Sequence, residues 1–167
     1  VRISIFVFLI LSAVLLAGFY GALFDQITYT VSNEFFTKMR FHQHGVKGNV
    51  NERWEVAKIG FENTWKVGLI LGTFLSLGGL LQSSNRKMLA VTMQSIVISM
   101  VTGFLFGIIA LLFAHPSIEI ASEMNIENKD AFNKVLSMNN YSYVGGIIGM
   151  FLGLGWQVLH TRLHRKN

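Results

Sequence analysis

The chain has 167 residues, 51% of them hydrophobic and 14% charged, with a mean hydropathy of +0.47 and a formal net charge of +5. Soluble domains carry roughly a quarter charged residues, so this composition argues against a water-soluble fold and for membrane helices. The absence of Cys excludes disulfides, thiolate catalysis and Cys-ligated metal sites. The basic residues are not interleaved with aromatics on a polar face, so no nucleic-acid partner is expected.

Four apolar runs organise the chain. The first, residues 3–24, has no charge and is long enough to cross a hydrocarbon core of ~30 Å. It is too long for the apolar region of a signal peptide, and no clear small-x-small cleavage site follows it. Residues 25–63 form an outer loop. Within it Ile27, Val31, Phe35 and Met39 recur at helical spacing, which predicts an amphipathic helix on the outer membrane surface.

The second span, 64–81, is short on hydropathy alone. Asn51 is a predicted N-cap, with Glu52 and Glu55 in the first turn where carboxylates suit the helix dipole. One helix is therefore expected from about Glu52 to Leu81. The third run, 88–113, carries no charge and is expected to stop at His115-Pro116. An acidic outer loop, 114–140, places Glu119, Glu123 and Glu127 at spacings of four, an exposed acidic face or a cation-attracting mouth. The fourth span is 141–159, and a basic tail, 160–167, ends the chain.

The predicted fold class is thus all-α: a polytopic bundle of four transmembrane helices with amphipathic helices in the outer loops. Residues 1–2, 82–88 and 160–167 hold six basic and no acidic residues, whereas the two longer loops hold all nine acids. The positive-inside rule then places both termini of this multi-pass chain in the cytoplasm.

Helix packing in lipid depends on small residues, because lipid tails are as apolar as the side chains they would replace. Each helix has such residues at four-residue spacing, and Gly145, Gly149 and Gly153 form two overlapping motifs on the last one. That face serves either internal packing or contact between subunits.

Candidate polar chemistry is sparse. Asp25 lies just past an apolar run, at the negative end of its helix dipole, and calls for a partner among Lys38, Arg40 and Lys66. With Gln26, Thr28, Glu34 and Thr37 it makes a polar outer cluster, either a vestibule or a set of caps and loop anchors. Thr92, Ser95, Ser99 and Thr102 share one face of the third span, with Gln94 nearby, and either line a water path or bond across helices. His42 and His44 are weak metal candidates, lacking third and fourth ligands nearby in sequence; no cofactor is expected.

The run from Tyr20 to Thr37, YGALFDQITYTVSNEFFT, resembles a family of small bacterial inner-membrane proteins with the pattern Tyr-Gly-x-x-His-Asp-Gln-Ile-Thr, then Ser-x-Glu-Tyr-Phe-Thr. Gly21, Asp25, Gln26, Ile27, Thr28, Ser32, Glu34, Phe36 and Thr37 match; Phe24 stands for the His and Phe35 for the Tyr. The resemblance implies a bacterial inner-membrane location and brings no activity with it. Function is expected to be that of a non-enzymatic accessory or scaffold protein, assembling with copies of itself or other membrane proteins through its small-residue faces. The alternatives are a homo-oligomeric channel using the hydroxyl stripe, and a membrane enzyme or metal-handling protein using Asp25, Glu34, His42 and His44.

Overall fold

A computed structural model describes residues 1–48, 51–113 and 125–163. Every regular element among them is helical: α1 (Arg2–Val31), a π-helical segment (Phe35–Arg40) running into the single turn α2 (Phe41–Gln43), α3 (Glu52–Gly79), α4 (Asn85–Phe113) and α5 (Lys129–Leu163). α1, α4 and α5 are each long and apolar enough to cross a membrane. α3 carries the charged turns of its first half and falls short of that measure by composition. It begins as its sequence predicts, with Asn51 Oδ1 accepting from the Trp54 amide at 3.2 Å and Glu52 and Glu55 in the first turn.

The helices run in alternating directions and pack as two tight antiparallel pairs, α1 with α3 and α4 with α5, with far sparser contact between the pairs. Small residues explain the tightness. A Cβ on Gly21 would strike the Gly60 carbonyl and the Thr64 side chain, and one on Gly68 or Gly72 would strike Ala17 or Ala13. Across the second pair, Cβ atoms on Gly145, Gly149 and Gly153 would fall 2.8 Å from the Thr102 carbonyl oxygen, 2.6 Å from Ser99 Cα and 3.0 Å from the Ser95 carbonyl oxygen. The small-residue faces are therefore filled within the chain.

One end of the bundle is tied by amides. Gln82 Nε2 donates to the Gln157 carbonyl (3.0 Å) and Thr161 Oγ1 (2.9 Å), and Gln157 Nε2 donates to the Leu75 carbonyl (3.0 Å). Arg2 donates to the carbonyls of Gln82 and Ser83 at 3.3 Å, joining the start of α1 to the α3–α4 turn.

The other end departs from the predicted outer loops. α1 continues seven residues past Phe24, with Thr28 and Thr30 hydroxyls bonded to carbonyls of their own helix, and stops where Ser32 turns extended. The stripe Ile27, Val31, Phe35, Met39 consequently does not lie on one helix: Ile27 and Val31 are exposed, Phe35 and Met39 buried. The π-helical segment turns both Phe35 and Phe36 inward. With Met39 and Phe41 they pack on Val56 and Ile59 of α3 and on Ile126, Phe132 and Val135 at the start of α5, forming a compact aromatic core. α5 starts at Lys129, twelve residues before the predicted fourth span, so the last part of the predicted acidic loop, 129–140, is helix. His115, Pro116, Glu119, Glu123, Arg165 and Lys166 lie outside the described residues, and Glu127 precedes α5 in a bend.

Candidate functional site

Sparse contact between two tight pairs leaves space between them. A cavity of about 80 Å³ lies there, lined by all four long helices. At ~10–15 Å³ of such space per water, this is room for several waters and more than a packing defect. Its length is walled by Ala13, Ala17, Leu71, Leu75, Ile96 and Met100, and its end nearest the aromatic core by Tyr20, Asp25, Asn63, Thr64, Asn139, Ser142 and Tyr143. An apolar body with convergent polar groups at one end has the lining of a small-molecule site, at a volume below the ~300–1,000 Å³ of drug-sized pockets.

Each polar group is placed by local structure. Asp25 is 6% exposed, one turn past Tyr20 on the inward face of α1. None of Lys38, Arg40 and Lys66 forms an ion pair with it among the described residues; burial dominates the surroundings of the carboxyl, and the Arg40 guanidinium attracts it only through space. The π-helical segment positions Arg40, whose guanidinium also sits 5.2 Å from the Phe35 ring centroid. Tyr20 and Ser142 share a hydrogen bond of 3.1 Å between α1 and α5, and Asn139 Nδ2 donates to the Val135 carbonyl at 3.3 Å. Thr64 Oγ1 donates across the first pair to the Ala17 carbonyl at 2.7 Å.

The predicted polar outer cluster is distributed over separate tasks. Asp25 reaches the cavity, and Thr28 is buried with its hydroxyl on the Asp25 carbonyl (3.1 Å). Gln26 Nε2 donates to the Arg53 carbonyl at 2.9 Å, while Arg53 donates to Gln26 and Thr30 and lies over the Tyr29 ring; Tyr29 in turn donates to Glu52. Thr37 bonds the Asn33 carbonyl (3.1 Å).

Glu34 anchors α5. Its two oxygens accept from the amides of Glu127 and Asn128, each at 2.9 Å, just ahead of the helix N-terminus. These two amides hold its carboxyl below the ordinary glutamate range, with Lys38 adding to the effect. A carboxyl with a depressed folded-state pKa stabilises the fold above its unfolded pKa, and the contribution fades as pH falls through the folded value. The stability difference between wild type and Glu34→Gln is therefore expected to be largest at neutral pH and to close in acid. Melting curves of both proteins across the carboxylate range check this; a difference independent of pH would contradict it.

On α4, Ser95 Oγ donates to the Val91 and Gly153 carbonyls (2.9 Å each), Ser99 Oγ to the Gly146 carbonyl (2.8 Å) and Thr102 Oγ1 to the Ile98 carbonyl (2.8 Å). Thr92 is buried against Gly79. Ser99 also borders the cavity, whereas Gln94 is exposed and accepts from Trp156 Nε1 at 3.0 Å. His42 is exposed, and His44 Nδ1 pairs with Glu62 at 3.4 Å, away from Asp25 and Glu34. Among the described residues no three His, Asp or Glu side chains group as a metal site.

Sequence reasoning missed Asn63, Asn139, Ser142 and Tyr143. Asn139, Ser142, Tyr143 and Gly146 recur at i, i+3, i+4 and i+7, a helical face. It is legible only once α5 is known to start at Lys129. No family model, curated protein or solved structure matches the chain.

Proposed function

We propose that the chain is a four-span protein of the bacterial inner membrane, with both termini cytoplasmic, and a non-enzymatic accessory protein that holds a membrane amphiphile between its two helix pairs. The observation that carries this reading is the cavity, apolar along its body and polar at one end. The alternating directions of α1, α3, α4 and α5 support four spans: α3 pairs with α1 along its length and returns the chain to the end where α4 begins. That end carries Arg2, Arg86, Lys87 and Arg162, as the positive-inside rule requires of a cytoplasmic side.

The polar end favours an uncharged, hydrogen-bonding head. The lining there is mostly neutral: the amides of Asn63 and Asn139 and the hydroxyls of Tyr20, Ser142 and Tyr143 surround the single carboxyl of Asp25. Assembly with other chains falls to the lipid-facing surfaces, since the small-residue faces are taken.

A photoreactive monoacylglycerol is a suitable probe in vesicles. Wild type is expected to be labelled at Leu75 or Ile96, both buried in the bundle. Asn139→Leu is expected to weaken probe binding about two- to tenfold, the equivalent of one lost hydrogen bond. Because the chain has no native Cys, single cysteines at Gly45 and Arg162 report on which side of the vesicle each lies. No interior label, or both cysteines on one side, would defeat the respective half of the reading.

A further inference from the structure

α1 and α4 belong to different pairs and approach each other far less closely than the helices within a pair. On the outer surface between α1 and α4 runs a groove of about 520 Å³, lined by Leu16, Phe19, Leu23, Ile27, Val97 and Val101, and by Phe104. Its volume lies within the ~300–1,000 Å³ of ligand pockets. Tyr20, Phe24 and Met100 line both this groove and the interior cavity, so these three side chains are the wall between them.

The wall is made of side chains alone. Tyr20 and Phe24 stack with centroids 5.5 Å apart, and Phe24 meets Phe104 edge-on at 6.3 Å. The Phe24 ring rests over Gly107, where a Cβ would come within 3.1 Å of it. The glycine thus gives the ring its room. Met100, unbranched and flexible, completes the wall from α4.

We propose that the α1–α4 groove seats the hydrocarbon chain of a membrane lipid, and that the chain passes between Tyr20, Phe24 and Met100 into the interhelical cavity. The occupant follows from where the groove lies. Both its walls belong to helices able to span a membrane, and flanking Leu23 and Val101 are exposed, so lipid tails are what reach it. Leu16 to Ile27 rises about 16 Å along a helix, close to half of the ~30 Å hydrocarbon core, which is the reach of one chain in one leaflet. The polar end of the cavity, at Tyr20 and Asp25, lies beside the same stretch of α1, so a phospholipid chain enters there while its charged head stays in the headgroup layer. This inference rests on the cavity being a ligand site and adds the route and the chemistry of the occupant.

The test is photolabelling in vesicles of phosphatidylethanolamine and phosphatidylglycerol doped with a phospholipid bearing a diazirine on its chain, with labelled residues mapped by peptide mass spectrometry. Met100 and Phe104 are expected to label well above Ile70 and Phe151, which are exposed on α3 and α5, and Leu75 or Ile96 is expected to label as well. Phe24→Leu is expected to raise the interior label several-fold. Met100→Ala, a smaller change on the groove side, is expected to do the same and covers the case in which Phe24→Leu fails to fold. Groove labelling no higher than at Ile70 and Phe151, with an unlabelled interior, overturns the side passage. If the monoacylglycerol reaches the interior while the phospholipid does not, the cavity stands as a ligand site and the passage falls. If neither probe reaches it, the cavity reading falls and the passage with it.

Discussion

Replacing Phe132 by Ala is expected to destabilise the end of the molecule that carries the aromatic core by about 3–5 kcal/mol, the range for removing a buried aromatic ring from a packed core. Phe132 is fully buried, lies 5.5 Å from the Phe35 ring and stands in the first turn of α5. It therefore joins α5 to the π-helical segment, and through Phe35 and Phe36 to α1 and α3. On the four-span reading this core sits outside the hydrocarbon, where water supplies a full hydrophobic driving force. In the spans it does not, because lipid is as apolar as Leu. Phe151→Ala, on the exposed face of α5, is accordingly the matched control and is expected to change stability little. Thermal melting of the two variants in one detergent decides the matter: equal shifts would show that the aromatic cluster is not a core. Limited proteolysis should also cut the Phe132→Ala protein first between Ser32 and Asn51, since that segment loses its packing partner.

Gly60→Ala is expected to be the most damaging methyl addition in the bundle, costing about 1–3 kcal/mol or more by overpacking. The new Cβ would run into the backbone of Gly21, and backbone cannot swing aside as a side-chain tip can. The mirror change at Gly21 meets the Gly60 carbonyl, so α1 and α3 touch main chain to main chain at this point. Elsewhere the sign reverses. Gly155 is helical with open space where a Cβ would be, and Gly155→Ala is expected to stabilise by about 0.5–1 kcal/mol, the helix-propensity difference. Denaturation in mixed micelles, read by circular dichroism, separates the two. If both variants shift alike, the close approach of α1 and α3 is not as described.

The candidate site was only half legible beforehand. Asp25 stands out in sequence because a carboxylate beside an apolar run is unfavourable, yet no ion pair meets it among the described residues and only the charge of Arg40 reaches it. Arg40 is carried by the π-helical segment, which has no hydropathy signature. Glu34 is equally visible as a charged residue, yet its partners are backbone amides 93 and 94 positions away. The stripe from Ile27 to Met39 misled for a related reason. Its spacing is helical throughout, but Ser32 turns extended between its two halves and sends them to different surroundings.

By itself the sequence determined the helical class, the apolar lengths of α1, α4 and α5 and the capped start of α3 at Asn51, together with the confinement of all acidic residues to the two longer loops and their flanks. These are sums or patterns over neighbouring residues, and hydropathy, capping and charge act locally along the chain. Tertiary structure alone decided which glycine face meets which helix, that α1–α3 and α4–α5 close tightly while the pairs stay apart, and that a cavity with Asp25 at its polar end lies between them. The reason is that packing joins residues distant in sequence: the same small-residue spacing suits a partner within the chain or outside it, and only the meeting of backbones at Gly21 and Gly60, and at Gly149 and Ser99, selects the first.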